Sequence, residues 1–160
     1  MVLTSFSFRM DLPATLIFRG FVYAWDGTKA TGPELFQSAP THTNGSGMET
    51  ITFATPEIPV AVGQQYVIFA SIALDFAADV GKGAGPWGIA TPSTYADGSF
   101  VYLSTGADAS QWTSADWNQF VFVTADAAFS ATFDTPTVAP SAPTVAPGAM
   151  PLSIAPSFTG

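Results

Sequence analysis

The stretch VLTSFSFRM, residues 2–10, alternates apolar and polar side chains with a period of two. Its apolar residues at even positions are Val2, Phe6, Phe8 and Met10. Serines and an arginine stand between the later members of this set. Because successive side chains of a strand point to opposite faces, this spacing predicts a strand with one face buried and one in water.

A second stretch, TLIFRGFVYAW at residues 15–25, is apolar on both faces, which is typical of a central strand covered on each side. Asp26 and Gly27 follow it as a turn pair. Six further stretches have strand composition: 34–39, 48–55, 64–74, 98–104, 118–125 and 127–133. We expect the strand at 48–55 to be interrupted by Pro56 and Pro59, since proline lacks the donor that a sheet ladder needs.

Gly, Pro, Asn and Asp punctuate the connections between these stretches, and helix signals are almost absent from them. Only TSADW, residues 113–117, has a weak helix-start signature, with Thr113 followed three residues later by Asp116. Short strands without intervening helices predict an all-β fold, an antiparallel β-sandwich of jelly-roll type with about eight strands.

The composition changes near residue 134 of the 160-residue chain. We expect a β-sandwich domain at 1–134 and a Pro/Ala-rich extended arm at 135–160. The arm contains six prolines, no charged residue and two copies of PTVAP, at 136–140 and 143–147. Such a segment favours extended polyproline-like conformations over a helix or a central strand.

The end of the arm, PLSIAPSF, differs from an ordinary linker because it carries apolar side chains at even spacing. These are Leu152, Ile154 and Phe158. A segment of this kind can add as a strand to the edge of a sheet, with its side chains as anchors, in its own subunit or in the next one. On composition alone, a disordered linker is the alternative.

Charge and residue usage exclude several classes of partner and site. Lys and Arg number 4 against 12 Asp and Glu, which gives a net charge of −8. So few cations cannot neutralise a phosphate backbone or an anionic membrane surface, so nucleic acid and membrane are not expected partners. The chain has no cysteine, which excludes disulfides and thiolate metal sites, and no apolar run reaches the 18 residues of a membrane span.

Aromatic residues in loops are the candidate binding groups. Trp87 and Tyr95 lie in the glycine-rich region 79–99, and Trp112 and Trp117 lie in SQWTSADWNQ. Exposed aromatic faces can stack on the C–H faces of sugars, so these four are candidate carbohydrate-stacking residues. The alternative is that the rings close the open ends of the sandwich, as aromatic loop residues often do.

Other chemistry has weaker sequence support. Acidic side chains flank the same loops, at Asp75, Asp79, Asp97, Asp108 and Asp116. Their spacing matches no calcium loop, so solvated carboxylates are the preferred interpretation and no metal or cofactor is expected. His42 is the only histidine and has no nucleophile elbow near it, so we expect no enzyme. Asn44-Gly45-Ser46 matches a glycosylation sequon but is expected to form a turn.

The run FRGFVYAWDGTKATGPELFQSAP, with GQQYVIFAS and GSFVYLS after it, resembles β-sandwich modules of secreted bacterial proteins that often carry carboxy-terminal sorting anchors. The matching residues are Tyr23 to Gly27, Gly32-Pro33 and Gly63 to Tyr66. The resemblance implies an extracellular jelly-roll-like unit with a binding or structural role, and it brings no catalytic residues. Such modules usually have another strand before the equivalent of Val2 and an anchor after the domain, and this sequence shows neither.

These observations predict a non-enzymatic structural protein that assembles with itself or a neighbouring subunit through its arm. We expect it on a virion surface, as a decoration protein, or in an extracellular filament. The sequence MVLTSFSFRMDLP lacks signal-peptide features, which favours the virion because virion proteins need no leader. A carbohydrate-binding module is the second hypothesis.

Overall fold

The computed structural model describes residues 1–13, 16–79, 86–90, 95, 98–119 and 126–137. Its strands are β1 (Val2–Met10), β2 (Arg19–Trp25), β3 (Ala30–Gln37), β4 (Glu49–Pro59), β5 (Gln65–Ser71), β6 (Ile89–Ala90), β7 (Val101–Tyr102), β8 (Asn118–Gln119), β9 (Asp126–Ala127) and β10 (Phe129–Asp134). A 3₁₀ turn at Ala73–Asp75 leads into the single-turn helix α1 (Phe76–Asp79), and a second single turn forms α2 (Gln111–Ser114). The predicted all-β fold is confirmed.

Two three-stranded antiparallel sheets form the sandwich, in the orders β10-β1-β4 and β3-β2-β5. Two further antiparallel pairs, β6 with β9 and β7 with β8, are short. In the first sheet Phe8 lies opposite Phe129 on one side and Ile51 on the other. The register of β1 shifts against both neighbours between Leu3 and Ser5, where a bulge interrupts the ladder.

The main core lies between the two sheets and includes Phe6, Phe8 and Met10, as the period-two pattern predicts. The bulge between Leu3 and Ser5 breaks this period, so that Leu3 rather than Val2 belongs to the core cluster. Phe6 of β1 contacts Phe53 of β4, with ring centroids 5.0 Å apart, and Phe36 of β3 across the sandwich at 6.0 Å. Val22 of β2 is fully buried in the same cluster. Burial of a large aromatic or aliphatic side chain contributes about 1.5–3 kcal/mol, so these residues hold the two sheets together.

A second core covers the other face of the β3-β2-β5 sheet. Phe21 of β2 stacks on Phe69 of β5 at 5.1 Å, and both rings contact Trp112 of α2. Strand β2 is therefore covered on both faces, since Phe21 and Val22 are each 0% exposed. This confirms the interpretation of residues 15–25 as a central strand, although the paired strand begins only at Arg19.

Strand β5 ends where Arg19 and Asp75 meet. The Arg19 guanidinium donates to both oxygens of the Asp75 carboxylate, with Nε–Oδ2 at 2.7 Å and Nη2–Oδ1 at 3.0 Å. This contact fixes the 3₁₀ turn against the start of β2. The expected strand 64–74 consequently stops at Ser71, and its last residues form the turn.

Two local predictions were wrong. Strand β4 continues through Pro56 and ends at Pro59. It lies at the edge of its sheet, and Pro56 falls in the register shift between Ala54 and Ile58, where a missing N–H breaks no ladder bond. The helix near Thr113 begins earlier, at Gln111. The Asp108 carboxylate accepts hydrogen bonds from the Ser110 backbone and the Gln111 side chain, so Asp108 rather than Thr113 organises the entry to this helix.

The last third of the sandwich is only partly paired among the described residues. The expected strand 98–104 is paired at Val101–Tyr102, and that at 118–125 is paired at Asn118–Gln119, with residues 120–125 outside the described ranges. Strand β10 ends at Asp134, and Thr137 is the last residue that the structure describes. The division into a domain at 1–134 and an arm at 135–160 stays a prediction.

Candidate functional site

Two of the four predicted stacking residues lie in the second core. Trp112 is 5% exposed and Trp117 is 9% exposed. The Trp117 indole N–H donates to the Trp112 backbone carbonyl at 2.9 Å, and both rings contact Phe69 edge-on. These rings therefore present no free face to a sugar, and their geometry favours the alternative that they close the core.

Trp87 is also used in packing. Its ring contacts Phe8 edge-on at 5.2 Å and lies 6.2 Å from Phe100. Its backbone forms an isolated bridge with Met10, at the end of β1. The ring thereby covers the main core at the end of the first sheet, and it is partly buried.

Tyr95 differs from the three tryptophans because half of its surface is exposed. Its side chain is 51% exposed and contacts Phe129 edge-on, with ring centroids 5.7 Å apart. A Cβ on Gly98 would lie 2.3 Å from the Tyr95 ring, so the ring rests directly on the Gly98 backbone. Gly98 is thus a position where the absence of a side chain permits the close approach of an aromatic ring.

Tyr95 lines a depression of about 320 Å³ on the outer face of the β10-β1-β4 sheet. Other side chains at its border are Ser7, Arg9, Asp126 and Ser130. The Ser7 and Ser130 hydroxyl oxygens are 2.7 Å apart and share a hydrogen bond across β1 and β10. The depression therefore combines an aromatic face, a cation, a carboxylate and hydroxyl groups, which can together bind a small polar ligand.

A compact backbone junction supports the Arg9 wall of this depression. Gly88 donates to the Arg9 carbonyl at 2.8 Å, and Ala128 donates to the Gly88 carbonyl at 2.7 Å. The Arg9 amide in turn donates to the Ala128 carbonyl at 2.9 Å. A Cβ on Gly88 would lie 2.7 Å from the Arg9 Cβ, so only glycine fits between these segments.

A second candidate surface is the edge strand β10. By register Phe129, Ala131 and Phe133 share the face that β1 turns toward the core. Phe129 is nevertheless 38% exposed and Phe133 47% exposed. Among the described residues β10 pairs only with β1, so its other edge shows unpaired backbone beside exposed apolar rings.

The first residues after β10 cross the end of the same sheet. Asp134 lies opposite Val2, and Val2 lies opposite Pro59 at the end of β4. Three residues after Asp134, the Thr137 backbone N–H donates to Glu57 of β4 at 3.1 Å, and its hydroxyl donates to the other oxygen of that carboxylate. These hydrogen bonds lower the pKa of Glu57.

The predicted arm anchors Leu152, Ile154 and Phe158 lie outside the described residues. So does Asp97, while Asp75 is engaged with Arg19 and Asp108 with the entry to α2. Over the described ranges no group of three or more His, Asp or Glu side chains is placed to hold a metal ion.

The sequon at Asn44–Ser46 forms the bend before β4, in line with the turn interpretation. The Asn44 amide nitrogens donate to the Glu49 carboxylate at 2.6 Å and 2.9 Å. Gly45 has φ of +65° and Gly47 φ of +103°. The structure thus gives this segment a role in turning the chain.

Comparison with known proteins gave no match. No protein-family model matches the chain, and no curated protein or solved structure matches it significantly. Within the part of the chain that the structure describes, no helix has the length and apolar character needed to cross a bilayer.

Proposed function

We propose that this chain is a non-enzymatic structural module that assembles through its carboxy-terminal arm, of which residues 138–160 lie on strand β10 of a neighbouring copy. The observation that carries the proposal is the open edge of β10, where Phe129 and Phe133 remain exposed on the core-facing side of the sheet. An additional strand on that edge would pair the free backbone groups and cover the two rings.

The two edges of this sheet differ in how well they are protected. Strand β4 carries Pro56 and Pro59, which lack an N–H donor, and its Glu57 already holds Thr137. Prolines are among the devices by which proteins blunt an edge strand. Strand β10, with the sequence FSATFD, has no proline, lysine or arginine. The strand that lacks protection is therefore the preferred acceptor.

The arm supplies a segment that matches this acceptor. PLSIAPSF, residues 151–158, has apolar side chains at even spacing, as has β10 at Phe129, Ala131 and Phe133. Thirteen residues, 138–150, separate Thr137 from this segment. At about 3 Å per residue in polyproline conformation, they reach roughly 40 Å, which is enough to pass from one subunit to the next.

The setting that we propose is a virion surface or an extracellular filament. The acidic, lysine-poor composition keeps such a subunit soluble before assembly, and the proposed contact uses backbone pairing and apolar anchors rather than charge. The proposed partner is a second copy of this chain.

Light scattering after size exclusion tests the proposal on the full chain and on a chain that ends at Thr137. The shorter chain keeps the Glu57 contact, so it removes only the part of the arm that is proposed to dock. We expect concentration-dependent oligomers of the full chain and monomers of the shorter one. A Phe133→Lys variant should also be monomeric, whereas the control Tyr102→Lys, at an aromatic ring of similar exposure on β7, should assemble normally.

A synthetic peptide with the sequence of residues 151–158 should bind the shorter chain and block assembly of the full one. If the full chain and the shorter chain are both monomers at all concentrations, self-assembly through the arm is excluded. If Tyr102→Lys disrupts assembly as strongly as Phe133→Lys, β10 is not the acceptor. Oligomers that are unchanged by removal of 138–160 would overturn the role of the arm.

A further inference from the structure

We propose that the depression lined by Ser7, Arg9, Tyr95, Asp126 and Ser130 binds an acidic saccharide, with Tyr95 stacking on a sugar ring and Arg9 binding its carboxylate. No residue of the arm lines this site, but Phe129 and Ser130 of β10, the strand on which the arm is proposed to dock, lie at its border. Its volume of about 320 Å³ lies at the lower end of the range for small-ligand pockets, roughly 300–1,000 Å³, and fits one or two sugar rings.

Arg9 determines the charge of the ligand. The chain has only 4 cationic side chains against 12 acidic ones, so a guanidinium at the border of a depression is exceptional here. Arg19 is paired with Asp75, whereas Arg9 is exposed and forms no ion pair with a carboxylate of the described residues. The planar guanidinium matches the two oxygens of a carboxylate, and such charge-assisted pairs are stronger than neutral hydrogen bonds.

The remaining polar groups favour a sugar over a simple anion. Asp126 lines the same depression and is 8% exposed, so a ligand with two or more negative charges would be repelled there. The Ser7 and Ser130 hydroxyl groups can donate to and accept from ligand hydroxyl groups. A ligand with one negative charge and several hydroxyl groups satisfies both observations, as the uronic acids do.

Tyr95 supplies an apolar face on which a sugar ring can stack. Its ring is held between the Gly98 backbone and Phe129, while half of its surface stays exposed beside the depression. A ring that is already fixed loses little conformational entropy when a ligand packs on it. The C–H face of a sugar ring is the complementary surface for such a ring.

Calorimetric titration of the full chain with the methyl glycoside of galacturonic acid, which carries one carboxylate, tests the proposal, with the methyl glycoside of galactose as the matched neutral ligand. We expect binding of the acidic sugar, weakened by salt, and binding of the neutral one that is weaker by about tenfold, as for loss of one charge-assisted contact. Arg9→Gln should abolish the difference between the two ligands, and Tyr95→Ala should weaken both.

Two control variants keep the result specific. Lys29→Gln removes a positive charge outside the depression, and Tyr102→Ala removes an exposed ring on β7; neither should change binding. Melting temperatures of all four variants establish that they are folded. Equal affinity for the acidic and the neutral ligand would overturn the assignment of an acidic saccharide. The site would be overturned if neither ligand binds, or if Arg9→Gln and Lys29→Gln lose equal affinity for the acidic ligand.

Discussion

The ring of Phe53 lies directly over Gly20, so close that a Cβ on Gly20 would be 2.7 Å from the ring carbons. Gly20 belongs to β2 and Phe53 to β4, so this contact joins the two sheets of the sandwich. Ser38 also holds Gly20 in place, because the Gly20 backbone N–H donates to the Ser38 hydroxyl at 2.9 Å.

We predict that Gly20→Ala destabilises the protein by about 1–3 kcal/mol, the usual cost of adding a methyl group to a packed core. Urea denaturation of the variant and the parent measures this difference. The double variant Gly20→Ala/Phe53→Leu should lose less stability than the sum of the two single changes, since the smaller side chain makes room for the methyl group. An unchanged free energy of unfolding in Gly20→Ala would contradict the close approach of the sheets.

The burial of Trp112 leads to a second prediction. Trp112→Ala should lower the free energy of unfolding by about 3–5 kcal/mol, because it removes a ring that contacts Phe21, Tyr23 and Phe69 and leaves a cavity. Tyr95→Ala, at an exposed ring, should cost much less. Thermal and denaturant unfolding of the two variants make the comparison, and similar losses in both would mean that Trp112 is not a core residue.

The ion pair of Arg19 and Asp75 leads to a prediction about pH. The hydrogen bonds from Arg19 lower the pKa of the Asp75 carboxyl below its ordinary value. The folded pKa is thus below the unfolded one, so the pair stabilises the protein above about pH 4, and this contribution is lost as the pH falls through the folded pKa.

Asp75→Asn should therefore be less stable than the parent at pH 7, and the difference should shrink on acidification below about pH 4. Chemical denaturation from pH 7 down to pH 2.5 measures it. Asp116→Asn, in the loop after α2, is the matched control for loss of a carboxylate. If the difference in free energy of unfolding between Asp75→Asn and the parent stays constant over this range, the ion pair does not make stability depend on pH.

The strands of this fold can be predicted from the sequence for two reasons. Burial of one face gives most of β1 a period of two, and burial of both faces leaves few polar residues in β2. The same reasoning fails at β4, where proline normally ends a strand. Whether proline is tolerated depends on which side of the strand has a neighbour, and that is a property of the whole sheet rather than of residues 49–59.

The candidate site is harder to predict from the sequence than the fold. Trp87 and Tyr95 stand in a glycine-rich region of the sequence and Trp112 in the polar stretch SQWTSADWNQ, yet the two tryptophans pack in the cores and Tyr95 is exposed. Arg9, Tyr95 and Ser130 meet only because β1 and β10 are neighbours, a pairing across more than a hundred residues that local patterns do not encode. Gly98 beside Tyr95 is the one local signal, and it becomes informative only when the ring is seen to rest on it.

The unequal protection of the two edges has a consequence for the symmetry of any assembly. In the proposed assembly the sheet adds a strand at its β10 edge, since the β4 edge carries Pro56 and Pro59. If two copies meet with β10 against β10, the contact is the same on both, and growth stops at a closed dimer with a twofold axis. If an arm reaches the next β10 first, donor and acceptor differ, and each addition leaves a new acceptor for another copy. Competition between a second β10 and an arm for the edge of β10 would then decide whether the copies form a closed dimer or a polymer without a defined end.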